Sequence, residues 1–598
     1  MSSDLYWRDT YSTFGPLFYE LLGYYESNYN REPTWIDYAK VNASSEVLPI
    51  YGESPLPKYV MYLSQLPLVN RLTEIRQLAY THVLFPGATH TRYEHSRGVM
   101  HRCSRILKKL AEKIESDCKD KGISITDDDR IVLEIAALLH DLGHPAWGHA
   151  LDGITGFVVQ LLGETLKYLF APRKLDIAIT LYLLLENDQM LKALEFCSKE
   201  IKDAKTREMF GKIVAQIVME EEQPLFPEMK DNETQVAKTH LLTTILGTYR
   251  GRGGIDADRL DWLVRDAHHA NLGAKLDAAT LQKYDAYMEL NKTDNFKVGI
   301  EDCEFAFVDD PKFKDTMTEL REKIYSEIYE GIERSFSDSL LMRLAYSATH
   351  VINTVGNSFA SSSITARTIM GYLLMYDNLM KEFTSDILQL SKQHGQLLGL
   401  PDPSARFTSK SYDLFRLSED IKYIMHSLSP KTIKEEYLES MNLHFNYVEL
   451  EQIGKKLIIT TAEAFSNLIE RAFNASKATD ACKLAILFQN ILAASRINAI
   501  GAMKVYTLES TLQDRCKDAN ICLLVNYYFF RKFDDCFKEV HDLVSLKEVL
   551  QKNLKSTPIF FIITNKMDSS KTKEIFEELC GNILANFLAH FQSIETIK

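Results

Sequence analysis

The stretch Ile131–His149 reads IVLEIAALLHDLGHPAWGH, and the rest of the chain is best read outward from it. Its first nine residues are almost wholly apolar and predict a buried helix. His140 and Asp141 stand side by side at the end of that helix, and Gly143 and Pro145 cannot continue it. An imidazole and a carboxylate at a buried helix end pack poorly, but their nitrogen and oxygen suit a borderline or hard divalent ion (Mn, Fe, Mg, Zn or Ni) better than a soft thiolate set would. An isolated His-Asp pair is more often a core histidine beside a capping Asp, so the neighbouring sequence has to decide.

Seven of the sixteen histidines fall between residues 82 and 149. Upstream, Phe85–Val99 (FPGATHTRYEHSRGV) is a Pro-Gly turn running into a helix that carries Arg92 and His95. Downstream, Gly254–Leu272 (GIDADRLDWLVRDAHHANL) sets Asp258, Asp261 and Arg265 on related helical faces, with Asp266 two turns after Asp258. Either segment alone reads as a charged helix laced with salt bridges.

Together, His95, His140-Asp141 and Asp258 form an H…HD…D pattern. With RLTEIRQLA (Arg71–Ala79), ALLHDLGHPAWGHALDG (Ala137–Gly153) and the two segments above, the chain resembles the HD-domain metal-dependent phosphohydrolases, over about residues 58–355. Within that superfamily it is similar to the deoxynucleoside triphosphate triphosphohydrolase branch. The resemblance implies a mainly α fold and one divalent metal ion held by His95, His140, Asp141 and Asp258. It also implies cleavage of a dNTP to deoxynucleoside and inorganic triphosphate by metal-activated water at the α-phosphorus.

The resemblance further assigns Arg92, Arg259 and His144 to the phosphates, Gln77 and Leu78 to the deoxyribose, Asp266 to the 3′-hydroxyl, and His149 to a substrate-facing position. Trp262 stands where the family commonly has a sugar-contacting tyrosine; it keeps a stacking face and loses the hydroxyl. Tyr329 reads first as a core tyrosine and second as an aromatic wall. Asp152 matches the aspartate that works with a leaving-group histidine, but the position of that histidine is Leu175, in Lys174-Leu175-Asp176. Asp152 and His144 are the expected catalytic groups, with three alternatives for the missing acid: another group such as His144 substitutes, the matching histidine lies elsewhere in this divergent segment, or turnover is slow or directed at a better leaving group. Family positions that read an activating guanine are Gln65 and Thr73 here, so no activator of that type is expected.

The chain has 598 residues, with 69 Lys plus Arg against 82 Asp plus Glu and a net charge of -13, which disfavours a general hold on nucleic acid or acidic lipid. Anionic substrates then need a focused basic pocket. Nine cysteines without a C-x-x-C or paired framework point to a reducing compartment, and no apolar run approaches membrane-spanning length, so a cytoplasmic protein is expected. The organisation reads as an irregular N-terminal arm (1–57), an HD phosphohydrolase domain (58–355), and a mostly helical C-terminal region (356–598) with β-like runs at Ile521–Tyr528 and Ile559–Thr564. The last part is a candidate for regulation or homo-oligomer assembly.

Three motifs are set aside. Asn565–Asp568 matches the guanine-recognition N-K-x-D, but no phosphate-binding P-loop accompanies it. His541-Asp542 lacks partner histidines, and Gly251–Gly254 is a lone glycine cluster. Rival functions are an HD phosphohydrolase for another nucleotide or phosphodiester, and a catalytically weak nucleotide sensor or assembly subunit.

Overall fold

The computed structural model describes residues 3–33, 36–117, 123–155, 158, 175–219, 225–230, 233–247, 256–276, 278–293, 298–301, 304–307, 311–394, 402–429, 431–438, 443–463, 509, 520–529, 532, 545 and 548–565. The fold is mainly α, with a small antiparallel sheet in the C-terminal part. Gly251–Gly254, His541-Asp542 and Lys566–Asp568 lie outside the described residues.

Helix α1 (Ser3–Asn28) is followed by a hairpin of β1 (Ser44–Leu48) and β2 (Gly52–Leu56). The arm is therefore not irregular. Phe14, Phe18, Leu21 and Tyr25 recur at helical spacing and are buried, a pattern that Pro16 obscures in the sequence. Next come α2 (Arg92–Asp117), α3 (Asp127–Leu139), α4 (Leu175–Glu186), α5 (Phe210–Val218), α6 (Glu233–Leu246) and α7 (Ala257–His269), then a second antiparallel pair, β3 (Val298–Glu301) and β4 (Glu304–Phe307). Helix α3 starts on a capping box in which Thr126 and Asp129 satisfy each other's backbone N–H, and its apolar residues pack between α2 and α5. Helix α7 starts on Asp256, whose Oδ1 accepts the Arg259 N–H at 2.8 Å, and lies along α2.

Leu66–Leu78, although its apolar residues recur at helical spacing, forms only short turns at Pro67–Asn70 and Arg71–Glu74. The backbone there is needed elsewhere: Ile75 O accepts Arg92 N at 2.9 Å, and Gln77 N donates to His90 O at 3.0 Å. The periodic stretch Phe313–Val351 is likewise two helices, α8 (Pro311–Ile324) and α9 (Ile332–Phe359), parted by a π-turn at Tyr325–Tyr329 and by Gly331.

Helices α10 (Ser362–Leu373), α11 (Asp377–His394), α12 (Asp402–Ser418) and α13 (Ile421–Ser427) lead into β5 (Lys434–Leu438), β6 (Leu443–Leu450) and β7 (Lys455–Thr461). With β8 (Ile521–Val525) and β9 (Pro558–Thr564) these form an antiparallel sheet of order β5-β6-β7-β9-β8. Phe336, Leu340 and Leu344 of α9 bury against Leu457, Leu524 and Phe561 of the sheet. Arg343, also on α9, donates from Nη1 to Glu509 Oε2 at 2.6 Å and to Leu523 O at 2.7 Å. Helix α9 is thus the shared wall between the two halves. No helix among the described residues is long and apolar enough to cross a membrane, and Cys103, Cys197 and Cys522 are buried free thiols.

Candidate metal centre and active site

Helices α2, α3 and α7 bring His95, His140, Asp141 and Asp258 together. His95 Nε2 lies 3.0 Å from Asp258 Oδ1 and 3.7 Å from Asp141 Oδ2. His140 Nε2 lies 3.4 Å from Asp141 Oδ1 and 3.7 Å from Asp258 Oδ1. Atoms that bind one ion at about 2.0–2.2 Å stand roughly 3–3.6 Å from each other, so the spacing fits a shared cation.

The outer nitrogens fit it as well. His140 Nδ1 donates to the Ala137 carbonyl at 2.8 Å, leaving Nε2 as a lone pair that is buried and has no hydrogen-bond partner. His95 Nδ1 pairs with Asp261 Oδ2 at 2.8 Å. Asp261 is itself held by Arg265 (Nε to Oδ2 at 2.8 Å, Nη2 to Oδ1 at 2.9 Å) and by the Tyr51 hydroxyl at 2.6 Å. The β1–β2 hairpin therefore reaches the back of the metal centre through Tyr51.

Electrostatics follow the same geometry. Burial would lower the His95 imidazole, but Asp258 and Asp261 outweigh it and push it up to about 10. Burial would raise Asp141, yet His140, His144, Arg92 and His95 hold it well below the usual carboxylate range.

After α3 the chain turns through Trp147, at φ 67°, and Gly148, at φ 56°. The turn sets the His144 and His149 rings edge to face at 4.7 Å. Arg71 fastens it from below, donating to His144 O at 2.9 Å and to Leu142 O. His144 Nε2 stands 3.6 Å from Asp141 Oδ1 and 3.4 Å from Asp176 Oδ2, and His149 Nδ1 stands 3.2 Å from Asp152 Oδ2. His144, His149 and Asp176 form a second group whose ligand atoms lie within 4.8 Å of one another. Leu175 is buried, and Asp176 beside it supplies the carboxylate.

These groups open onto a cavity of ≈ 980 Å³. Gln77, Leu78, Arg92, Asp152, Arg259, Trp262 and Asp266 all line it, so every candidate site residue except His140 reaches the cavity surface. Arg92 Nη1 donates to Asp141 Oδ2 at 2.9 Å, and Arg259 Nε lies 3.6 Å from Asp256. Trp262 sits against Tyr329 and Tyr325 with ring centroids at 5.8 and 6.2 Å. Tyr329 lines the cavity and donates its hydroxyl to Asp266 Oδ2, while Asp266 Oδ1 pairs with His90 Nε2 at 2.8 Å.

Residues 92–239 match the family model described as HD domain. The chain carries an HD domain. It resembles deoxynucleoside triphosphate triphosphohydrolases: it is 28% identical over 246 residues to deoxynucleoside triphosphate triphosphohydrolase SAMHD1 of Gallus gallus, covering 40% of this chain and 35% of that one. It is 27% identical over 243 residues to the protein of the same name in Homo sapiens (41% and 36% covered), and 37% identical over 106 residues to that of Danio rerio (18% and 16%). The chain spans about a third of the length of the curated relatives it matches over the longer alignments.

Three of the four candidate ligands fall inside the matched HD domain, and Asp258 lies beyond its end. Asp176, Tyr51 and His90 were not expected as site residues. Asp176 had a signal, the expected His-Glu position that keeps only a carboxylate. Tyr51 had none, since it meets Asp261 across 210 residues.

Behind Asp266 stands a stacked pair, His90 and His269, with centroids 4.4 Å apart. Burial first, then His90 and His268, depress His269 to about 4 from an ordinary 6.5. A histidine lowered on folding contributes stability that is full above 6.5 and is lost as pH falls through 4. The melting temperature is expected to drop across that window, and His269→Gln should flatten this part of the curve. Superimposable profiles for the two proteins would count against the assignment.

Proposed function

We propose that the chain is a metal-dependent phosphohydrolase that cleaves deoxynucleoside triphosphates to deoxynucleoside and inorganic triphosphate. The observation that carries this reading is the convergence of His95, His140 and Asp141, the histidines with locked outer nitrogens, with Asp258 Oδ1 3.0 Å from His95 Nε2, beside a cavity large enough for a nucleotide. His95, His140, Asp141 and Asp258 would hold the ion. When bound, a divalent cation there lowers the pKa of water and polarises a phosphoryl oxygen.

The chain's own groups do the rest. Nine carboxylates line the cavity against five Lys and Arg side chains, so a polyphosphate needs cationic help beyond the protein's. Arg92, fixed by Asp141, and Arg259 at the start of α7 face the phosphates. His144, between Asp141 and Asp176, can hold or move a proton at Nε2. The half-exposed His149, paired with Asp152, offers a second donor for the leaving 5′-oxygen. Such acid assistance contributes about 10²–10⁴ in rate. Gln77 and Leu78 wall the sugar, and Trp262 with Tyr325 and Tyr329 forms an aromatic corner for sugar or base. A 3′-hydroxyl at Asp266 would compete with the Tyr329 hydroxyl.

The same reading makes residues 58–355 the catalytic domain and places the enzyme in the cytoplasm, on the absence of a paired cysteine framework in the sequence and on the free thiols of Cys103, Cys197 and Cys522 among the described residues. Homo-oligomer formation rests on the resemblance alone.

Incubation with Mn²⁺ or Mg²⁺ and each dNTP, with products resolved, tests the proposal. Inorganic triphosphate is expected; monophosphate plus pyrophosphate, or turnover of dinucleotides alone, would move the assignment to another phosphohydrolase. Leu175 favours a second reading, a nucleotide-binding protein of slow turnover, for which tight binding without product is the signature.

A further inference from the structure

The catalytic cavity is not walled by the HD domain alone. Asn526, Tyr527, Tyr528 and Lys532, from the segment that leaves β8 of the C-terminal sheet, also line it. The segment comes close to the machinery: a Cβ on Gly153, next to Asp152, would lie 3.3 Å from the Tyr527 ring, a tight contact, although the glycine is required chiefly by Met342, whose Sδ would stand at 2.1 Å. Lys532 Nζ donates to Glu330 Oε2 at 2.9 Å, and the Tyr528 hydroxyl donates to Glu330 Oε1 at 3.0 Å. Glu330 closes the π-turn that carries Tyr325 and Tyr329.

We infer that Lys532 is a polyphosphate-binding residue of the catalytic cavity, delivered by the C-terminal half, with Glu330 as the counter-ion it exchanges for phosphate. This rests on reading the cavity as a polyphosphate site. The cavity's cations differ in how readily they can be released. Arg92 and Asp141 are buried (side chains 4% and 10% exposed), and parting them strands a charge out of water. Lys532 and Glu330 are 25% and 27% exposed, a setting in which ion pairs are weak. When Lys532 leaves, Glu330 keeps the Tyr528 hydroxyl and is not orphaned. A lysine ammonium on a flexible stem can swing between carboxylate and phosphate without the geometric demands of a guanidinium.

The test measures binding of inorganic tripolyphosphate, as its magnesium complex, to the metal-loaded full chain by calorimetry. Lys532→Met should weaken it about tenfold, the worth of one charge-assisted hydrogen bond, and Lys532→Arg should restore most of the loss. Glu330→Gln should tighten it several-fold, because it removes the competing carboxylate. A purely structural pair predicts the opposite for Glu330→Gln, which would then weaken binding alongside Lys532→Met. That result, an unchanged Lys532→Met, or no tripolyphosphate binding by the wild type would overturn the inference. If Lys532→Met fails to fold, judged by its melting temperature, the sign of the Glu330→Gln effect decides. Hydrolysis is scored separately: the expected binding pattern with no dNTP turnover would sink the proposed activity and leave the Lys532 site standing.

Discussion

Asp258→Ala is expected to lose bound metal and hydrolysis together. Asp258, in the proposed ligand set, meets both histidines through a single oxygen, with Oδ1 3.0 Å from His95 Nε2 and 3.7 Å from His140 Nε2. Burial would raise its carboxyl, but the two imidazoles hold it far below the ordinary range, so it is a full negative charge at any working pH. Its removal leaves Asp141 as the lone carboxylate facing the ion, with Arg92 already claiming one oxygen. Groups that merely support a ligand cost about 10–100-fold in metal affinity, so a lost ligand should exceed 100-fold. Metal content after gel filtration and triphosphate release should fall in parallel. Stoichiometric metal in the variant would remove Asp258 from the ligand set, whatever the activity.

The second large effect is expected at Gly98, on the inner face of α2. A methyl group there would lie 1.9 Å from Asp261 Oδ1 and 2.4 Å from Arg265 Nη2, inside a fully buried ion pair. The pair cannot slide away, because Asp261 Oδ2 also holds His95 Nδ1 and Oδ1 takes the Tyr51 hydroxyl. Overpacking costs about 1–3 kcal/mol, and parting a buried pair about 3–5 kcal/mol. Gly98→Ala should therefore destabilise by at least about 3 kcal/mol and weaken metal binding as His95 tilts. Chemical denaturation with metal titration checks both; an unaltered midpoint with unaltered affinity would show that the helices part more easily than the geometry allows.

What could be read from the amino acids alone was the chemistry carried on single helices. His140-Asp141 follows an apolar run that predicts α3, whereas Asp258, near the start of a helix that Asp256 caps, is singled out from its charged neighbours only by the family resemblance. The support behind them was less legible. Asp261 and Arg265, four apart, look like an ordinary surface pair until α2 and Tyr51 bury them. The helix in the first 57 residues is hidden for a similar reason: Pro16 interrupts a helical stripe whose partner, α10, lies more than 300 residues away. The share of the C-terminal half in the cavity depends on Glu330 meeting Tyr528 and Lys532 across about 200 residues, a pairing no local pattern encodes.

Helix α1 also has a consequence for how the chain is made. Its end is fastened by the Tyr29 hydroxyl, which donates to Leu374 O across 345 residues, and its buried face rests on α10. At about 5–20 residues per second, that docking surface leaves the ribosome roughly 20–70 s after α1 itself. Phe14, Phe18, Leu21 and Tyr25 wait for that interval for the surface they bury against, so α1 settles long after it is made. Nascent chains halted before residue 374 should keep α1 open to proteases and chaperones.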